Sequence, residues 1–419
     1  MPPAAFRCPG DDLMTFRFPR PVSPAFTRLL CAQGLSQLGV GFHLAAFPLL
    51  VSTLTTDPLV VATTALASVV PGIVLALPVG AWVDRAHRGR LMVGSDLSCA
   101  AVLLALSVLV LTGHIHLWML IGAAVLLGCA EFVFGVSAYA LLPNLVSPTQ
   151  LPRANSLLSV VGQTGAGILG PALGAISFGL ARWLPFAVNT ATYLGSAVTI
   201  ATFVAGSDTR AHTSAEPHRT GRRELFAGLT YLRSHRPIRA LVVLPAVAGF
   251  FGWMPEATFV LFVREHLGID AAGFGVLLGA TTIGAVVGGL LTGPLVKRMG
   301  TVRTLCVTYI VYGMLLIPVG VVRNPVVLGV LFFVQGLPLI ACNATVRSLQ
   351  QRTIPSDLLG RVGAVNRLAY SAITPLGLAA GGFIAMWLGY PAVWIIAGCG
   401  FLAAFLFNLP AIRSLNATD

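Results

Sequence analysis

Charged residues are scarce in this 419-residue chain: they make up 10% of it, against 56% hydrophobic residues, and the mean hydropathy is +0.86. A soluble globular domain has about 25% charged residues. That class is therefore excluded, together with disordered, collagen-like and coiled-coil chains. A membrane β-barrel would alternate apolar and polar residues in segments of about ten, whereas the apolar runs here are long and continuous. The sequence predicts an all-α membrane protein.

Catalytic and metal-binding motifs are also lacking. The chain has no Walker A motif (GxxxxGK[ST]), no GxSxG turn and no HExxH helix, and its seven cysteines form no CxxC pair. We therefore expect no enzymatic activity, no cofactor, no metal and no use of ATP. The net charge of +12 comes from basic residues between apolar runs, without a basic patch interleaved with aromatic residues. No nucleic-acid partner is expected.

Twelve apolar runs are long enough to cross a bilayer, which takes about 20 residues. The predicted division is a cytoplasmic tail at 1–25, a six-helix bundle at 26–206, a cytoplasmic central loop at 207–237, a second six-helix bundle at 238–412 and a cytoplasmic tail at 413–419. The predicted spans are 26–53, 59–82, 91–111, 117–142, 155–180, 184–204, 238–263, 273–296, 302–321, 326–349, 362–388 and 392–412.

The basic residues, all of them arginine except Lys297, indicate the orientation of these spans. With the N-terminus inside, 23 basic residues fall on the cytoplasmic side and three (Arg182, Arg264 and Arg323) fall outside. Cytoplasmic loops carry the excess of basic residues in membrane proteins. Both termini are therefore expected in the cytoplasm, and the chain is expected to cross the cell membrane many times.

The two halves repeat each other at a spacing of about 205–215 residues. Gly80-Ala-Trp-Val-Asp84-Arg85 follows the second span, and Gly293-Pro-Leu-Val-Lys297-Arg298 follows the eighth. Gly170-Pro171 in the fifth span corresponds to Pro375-Leu-Gly377 in the eleventh. A parallel six-plus-six repeat joined by a basic cytoplasmic loop is typical of one large class of secondary transporters.

Several motifs resemble those of the major facilitator superfamily. The stretch Gly80–Arg90 is similar to that family's loop between helices 2 and 3, and Gly167–Gly174 is similar to the fifth-helix motif of its drug exporters, with Ala175 in place of a final glycine. The segments 142–146 and 360–362 resemble the branch of macrolide-efflux proteins and the enterobactin exporter. The fourth span lacks the arginine of the family's motif there.

The resemblance implies a gating loop made of Gly80, Asp84, Arg85 and Arg88. Gly80 would allow backbones to approach closely, and Asp84 would cap the N-terminus of a neighbouring helix, the eleventh, when the cytoplasmic side closes. The alternative for the arginines is simple anchoring on the inside of the membrane.

In the fifth helix, five glycines would form a smooth groove against which a neighbouring helix packs, and Pro171 would remove a backbone hydrogen bond and bend the helix. The glycines are Gly162, Gly165, Gly167, Gly170 and Gly174, and the last three form the exporter-like motif together with Pro171. Ordinary packing of small residues is the alternative, and the resemblance to exporters is what favours a role in efflux.

Carboxylates inside the spans carry the clearest functional signal, since such groups are costly in a membrane and face a cavity or a partner. In the family, helices 1, 4, 7 and 10 line the cavity. Glu131 lies in the fourth span and Glu256 in the seventh, so both belong to this set. Both are candidates for proton coupling or for binding a cationic substrate. The alternative is a protonated, hydrogen-bonded structural role. Asp96, early in the third span, is expected to pair with a loop arginine.

His43, at the centre of the first span, is a candidate that binds substrate or titrates near neutral pH. Its alternative is a neutral histidine satisfied by a neighbouring helix. Other candidates for the substrate cavity are polar or aromatic residues on the same set of helices: Gln33, Ser36, Phe47, Trp253 and Gln335.

The sequence thus predicts a secondary transporter that exports a small amphiphilic or cationic compound (a drug, siderophore or secondary metabolite) in exchange for protons. Its partners are a small-molecule substrate, protons and the lipid bilayer, and it would work as a monomer. Proton-linked or facilitated uptake of a nutrient is the alternative. A membrane receptor or scaffold without transport activity is a third possibility, although the short loops leave little surface for partners.

Overall fold

The computed structural model describes residues 23–147, 150–204 and 230–417, and nearly all of them are helical, with no strand in these ranges. Ten helices are long and apolar enough to cross a membrane, which confirms the all-α membrane class. Two further helical segments, at 58–85 and 184–204, take the places of the second and sixth predicted spans. The described ranges therefore contain twelve long helical segments (α1–α12) beside a few short ones, although twelve membrane crossings remain a prediction.

Nine of the twelve segments are continuous helices. They are α1 (Pro24–Leu54), α3 (Arg88–Leu111), α4 (Leu117–Leu141), α6 (Leu184–Val204), α8 (Ala271–Met299), α9 (Thr301–Val319), α10 (Pro325–Thr353), α11 (Ser356–Leu388) and α12 (Tyr390–Arg413).

Three segments are interrupted. They are α2 (Pro58–Val74, then Ala76–Arg85), α5 (Leu151–Gln163, a π-helical turn Thr164–Leu169, then Gly170–Leu180) and α7 (Arg236–Trp253, a 3-10 turn Glu256–Thr258, then 259–266). Proline lies inside or beside each break, and it removes a backbone hydrogen bond there. These prolines are Pro71, Pro171 and Pro255.

Polar side chains cap the first turns of α1, α2, α8 and α10. The Asp57 side chain accepts a hydrogen bond from the Leu59 amide at the start of α2, and Asp270 does the same for Gly273 at the start of α8, both at 2.8 Å. Side-chain acceptors at these positions satisfy amides that have no partner within the helix. At these four helices, a polar residue before the apolar run marks where the helix begins.

The predicted internal repeat reappears as equivalent contacts in three dimensions. Helix α5 crosses α1, and α11 crosses α7, with glycines facing main-chain carbonyls of the partner helix at corresponding places. The matched pairs are Gly170 with Leu38, Gly174 with Phe42, Gly377 with Phe250 and Gly381 with Met254. Because a Cβ atom at any of these glycines would clash with the facing carbonyl, each crossing depends on glycine.

The two halves meet at the end of the molecule that holds the α1–α2 connection. There α2 packs on α11, and the second part of α5 packs on α8. At the other end, Ala76–Arg85 and Leu151–Gln163 pack chiefly on their own half. Among the described residues, three hydrogen bonds join the halves: Arg264 to Ser52 (2.7 Å), Thr282 to the Gly167 carbonyl (2.8 Å) and Tyr390 to the Thr56 carbonyl (3.3 Å).

Candidate functional site

A buried polar cluster links three helices of the N-terminal half around Glu131 on α4. The Tyr193 hydroxyl on α6 donates a hydrogen bond to Glu131 Oε1 at 2.7 Å, and His43 Nε2 on α1 lies 3.3 Å from the same oxygen. Side-chain exposure is 10% for His43 and 22% for Glu131. The two candidates that the sequence placed on separate spans are therefore in direct contact.

Small and aromatic residues hold His43 in this position. A Cβ atom at Gly39 would lie 2.9 Å from Thr192 Oγ1 and 3.0 Å from the Tyr193 ring, so glycine is what allows α1 to approach α6. Phe47, one turn beyond His43, packs edge-on against its ring at a centroid distance of 5.9 Å. The imidazole is therefore fixed from two sides.

The hydrogen bonds of the imidazole determine how many protons the pair holds. His43 Nδ1 lies 3.2 Å from the Gly39 carbonyl oxygen, which can only accept, so Nδ1 carries hydrogen. Contact between Nε2 and the Glu131 carboxyl then requires one further proton, either on the imidazole or on the carboxyl. The contact therefore joins a base and an acid that share one proton.

A second acid lies inside the same half. Asp96 on α3 is 1% exposed, and its Oδ1 accepts a hydrogen bond from the Ser36 hydroxyl at 3.2 Å. The expectation that Asp96 pairs with a loop arginine is wrong, because its carboxyl points into the bundle towards α1, whereas Arg88 turns to α4. Asp96 Oδ2 and Gln33 Oε1 have no hydrogen-bond partner among the described residues.

The C-terminal candidate, Glu256, is in a different setting. It lies in the 3-10 turn that interrupts α7, and its side chain is exposed. The turn packs on α2 and α11, so Glu256 borders the space between the two halves. No hydrogen bond or ion pair of its carboxyl is found within the described ranges. Three residues earlier, the Trp253 indole donates to the Tyr370 hydroxyl on α11 at 3.1 Å.

The other predicted cavity residues do not line an open space in this conformation. Gln33, Ser36 and Phe47 are 5%, 2% and 8% exposed, and they turn into the N-terminal half. Gln335 on α10 is also buried, at 5% exposure. The helical period correctly grouped the α1 residues on one face, but that face packs against α3 and α6. One sequence gives the period of a helix and not its rotation.

The gating loop differs from its expected role in one respect. The predicted close approach of backbones at Gly80 is not present in this conformation. The side of Gly80 where a side chain would be has no described atom within 4 Å. Arg88 donates from Nη1 to the Ala140 carbonyl at 2.8 Å, which satisfies the C-terminus of α4. Arg85 is exposed, and the side chain of Asp84 lies outside the described part.

The fifth-helix motif lies at a helix crossing. Gly170 and Gly174 pack on α1, and Gly41 of α1 in turn faces Gly165, Gly170 and Pro171. Gly167 is different: it has open space where a Cβ would be, and its carbonyl accepts the hydrogen bond from Thr282 of the other half. Three members of the motif therefore hold α5 on α1, and one belongs to the contact between halves.

Two functional candidates escaped the sequence analysis. Tyr193 is the only tyrosine on α6, and Tyr370 lies in α11. A tyrosine in an apolar helix needs a partner for its hydroxyl, and that rule would have singled out both. It would not have named Glu131 or Trp253 as the partners.

Comparison with known proteins identifies the family of this chain. The family model described as "Major Facilitator Superfamily" matches residues 29–373 and 246–417. The multidrug efflux pump Tap of Mycolicibacterium fortuitum is 26% identical over 90% of this chain and 94% of its own. Macrolide efflux protein A of Streptococcus pyogenes is 22% identical over 87% of this chain and 90% of its own.

Among solved structures, a bacterial homologue of the iron transporter ferroportin in an inward-facing state superposes with a TM-score of 0.73. The two sequences are 16% identical, and the alignment covers 93% of this chain and 98% of that one. A bacterial homologue of the lysosomal transporter Spinster, also inward-facing, gives a TM-score of 0.66 at 12% identity, over 94% and 97% of the two chains. At these identities, the similarity concerns the fold.

Proposed function

We propose, since the chain belongs to the major facilitator superfamily of membrane transporters, that it exports a small amphiphilic or cationic compound in exchange for protons. Relatives named as efflux pumps support the direction of transport. The observation that carries the proposal is the contact of His43 Nε2 with Glu131 at 3.3 Å. A pair that must hold one proton, inside a half that moves relative to its partner, is suited to proton exchange.

The proton would be exchanged as follows. In the conformation described here, Glu131 is about one-fifth exposed, so water can reach the carboxyl. When the halves rock, the pair would be exposed to the other side of the membrane, and the stability of its proton would change with the surrounding water and charge. A proton taken up on the acidic side would then be released on the other side.

The substrate would bind on the C-terminal side of the same space. The Glu256 carboxylate, unpartnered within the described ranges, can attract a cation. Trp253 and Tyr370, joined by their hydrogen bond, offer aromatic faces one turn away, and such faces attract cations and pack on apolar rings. A lipophilic cation with an aromatic part matches this combination of charge and surface.

Inside-out vesicles with an acidified lumen provide the test. A panel of lipophilic cations, macrolides and siderophores is added, and the pH gradient is followed in vesicles with the wild type, Glu131→Gln and the control Glu265→Gln, which alters an exposed glutamate at the end of α7. We expect at least one compound to dissipate the gradient with the wild type and the control, but not with Glu131→Gln.

Two results would contradict the proposal. Accumulation of the compound in the opposite direction would indicate uptake. Full proton-linked efflux by Glu131→Gln would remove the His43–Glu131 pair from the mechanism.

A further inference from the structure

The buried carboxyl of Asp96 is not explained by the proton exchange proposed at Glu131. Asp96 is 1% exposed, and its Oδ1 accepts a hydrogen bond from Ser36 at 3.2 Å. The Ser196 hydroxyl of α6 also lies beside the carboxyl, but it donates its hydrogen to the Ala32 carbonyl at 3.0 Å. The second oxygen of Asp96, Oδ2, is buried without a partner in the described ranges. A structural aspartate is normally satisfied by several donors or by a cation, and Asp96 has neither.

No basic side chain compensates a negative charge at this place. None of the arginines or histidines in the described ranges forms an ion pair with Asp96. Burying an ionised carboxylate without a cation beside it is costly. A proton on Asp96 would remove this cost, and the protonated carboxyl oxygen would itself become a hydrogen-bond donor. Gln33 Oε1, an acceptor one turn before Ser36, also lacks a donor among described residues.

The groups that titrate around Asp96 come from each packed helix. Cys99 lies one turn from Asp96 on α3. The neighbouring helices contribute three more titratable residues, which are Glu131 on α4, Tyr193 on α6 and His43 on α1. Asp96 and Glu131 are close enough to interact electrostatically. Tyr193 and Ser196 lie one turn apart on α6, so the same helix faces both acids. A change of charge at either acid therefore acts on the other.

We propose that Asp96 holds a second exchangeable proton in the N-terminal half, coupled to the proton of the His43–Glu131 pair. The use of the Asp96 proton in transport rests on the proposed proton exchange, whereas the presence of that proton does not. The step is a simple acid–base reaction: the O–H bond of the Asp96 carboxyl breaks, and the proton passes to water or to the neighbouring pair. In a full cycle the two acids together would exchange up to two protons.

The protonation of Asp96 can be measured without a substrate. Protonated carboxyl groups give an infrared carbonyl band that disappears when the proton is lost, and the band can be followed against pH in purified protein. We expect a buried carboxyl component from Asp96 in the wild type, and a second from Glu131 when the proton of the pair is on its carboxyl. Asp96→Asn should lose the first, Glu131→Gln should lose the second, and each substitution should change the pH at which the remaining acid titrates.

Other variants keep the test decisive. Ser36→Ala retains the acid and removes its hydrogen bond, so it should move the Asp96 band even if Asp96→Asn fails to fold. Glu265→Gln, which alters an exposed carboxyl, should leave both buried components in place. If Asp96→Asn, or Ser36→Ala when the former does not fold, gives the titration of the wild type, the proposal is overturned.

The coupling is tested separately from the site. In the vesicle assay, the pH dependence of efflux should become shallower in Asp96→Asn, from about two protons to about one. If Asp96 titrates in the infrared experiment but no compound moves protons in wild-type vesicles, the proposed export fails while the proton on Asp96 stands. If wild-type vesicles exchange protons and Asp96→Asn keeps the same pH dependence, the coupling of Asp96 is overturned.

Discussion

The interiors of the two halves are built from different residues although their helices cross alike. In the N-terminal half, α1, α3, α4 and α6 meet through hydroxyls, carboxyls and an imidazole around Glu131. In the C-terminal half, aromatic rings instead pack together where α7, α8, α10 and α12 meet, at centroid distances of 5.1–5.9 Å. These rings are Phe259, Phe262, Phe274, Phe332 and Trp394.

This difference teaches that a repeated scaffold can divide its chemistry between its copies. Glycine contacts fix the helix crossings in both halves, so the scaffold does not depend on what fills each bundle. A polar interior can change its protonation, and its packing can change in response. An aromatic interior is stabilised by buried apolar area and by the fit between rings, neither of which depends on protonation. Under the proposed proton exchange, the N-terminal half would respond to protons and the C-terminal half would not. Four predictions test this division, from the largest expected effect to the smallest.

The largest effect is expected for loss of the acid in the polar half. Glu131→Gln keeps the size of the side chain but cannot release a proton, so proton-driven export should be abolished while membrane insertion and folding persist. Glu256→Gln, in the other half, should weaken binding of cations and retain proton exchange with a neutral substrate. Counterflow and gradient-driven transport in proteoliposomes separate these two outcomes. Equal loss of both activities in both variants would erase the contrast between the halves.

The scaffold itself should respond equally in both halves. Gly174→Ala would bring a methyl group to about 2.5 Å from the Phe42 carbonyl of α1, and Gly381→Ala would do the same at the Met254 carbonyl of α7. Each should lower the free energy of unfolding by about 1–3 kcal/mol, since overpacking forces the helices apart. Thermal unfolding in detergent measures this, with Gly94→Ala, which meets no described neighbour, as the control.

Removing one hydroxyl should matter in one half only. Tyr193→Phe deletes the donor to Glu131, and hydrogen bonds to charged groups contribute about 1.5–3 kcal/mol. We expect roughly a tenfold or greater loss of proton-coupled efflux and a shift of its pH profile. Tyr309→Phe, at a buried tyrosine that stacks on Phe401 in the other half, is the matched control and should leave the pH profile in place. A profile unchanged in Tyr193→Phe would contradict the role of this bond.

The smallest effect is expected where the halves touch. Ser52→Ala removes the acceptor of the Arg264 hydrogen bond, which is only partly buried, so we expect a few-fold shift towards opening of that end. Accessibility of an introduced cysteine near this bond, measured by rate of labelling, reports the shift. Arg182→Gln, at an exposed arginine near the same end, should leave the labelling rate unchanged. A labelling rate in Ser52→Ala equal to that of wild type would show that the bond does not hold this end.

Much of the fold could be predicted because its signals are local. The apolar runs gave the helices within a few residues, and polar caps such as Asp57 and Asp270 explain where they begin. The breaks in α2, α5 and α7 were harder. Proline makes an interruption probable, but whether it becomes a π-turn, as at Thr164–Leu169, depends on how the neighbouring helix packs.

The candidate site could be predicted only in part. The cost of a carboxyl in a membrane identified Glu131 and Glu256, and the position of His43 in mid-span identified a titratable group. Ser36 and Phe47 were assigned to the cavity but lie inside the bundle, and Asp96 was assigned to an arginine but contacts Ser36. These errors share one cause: each depends on the rotation of a helix about its axis, which the helical period leaves open.

By itself, the sequence determined that this chain is an all-α membrane protein built from two repeated halves, because hydropathy, charge asymmetry and internal spacing are properties of the chain alone. It also determined which side chains are costly to bury. Only the tertiary structure decided that His43, Glu131 and Tyr193 meet, that Asp96 lies beside Ser36, and that the halves touch at one end. Those contacts join residues far apart in the chain, and they exist because glycines let particular helix faces approach.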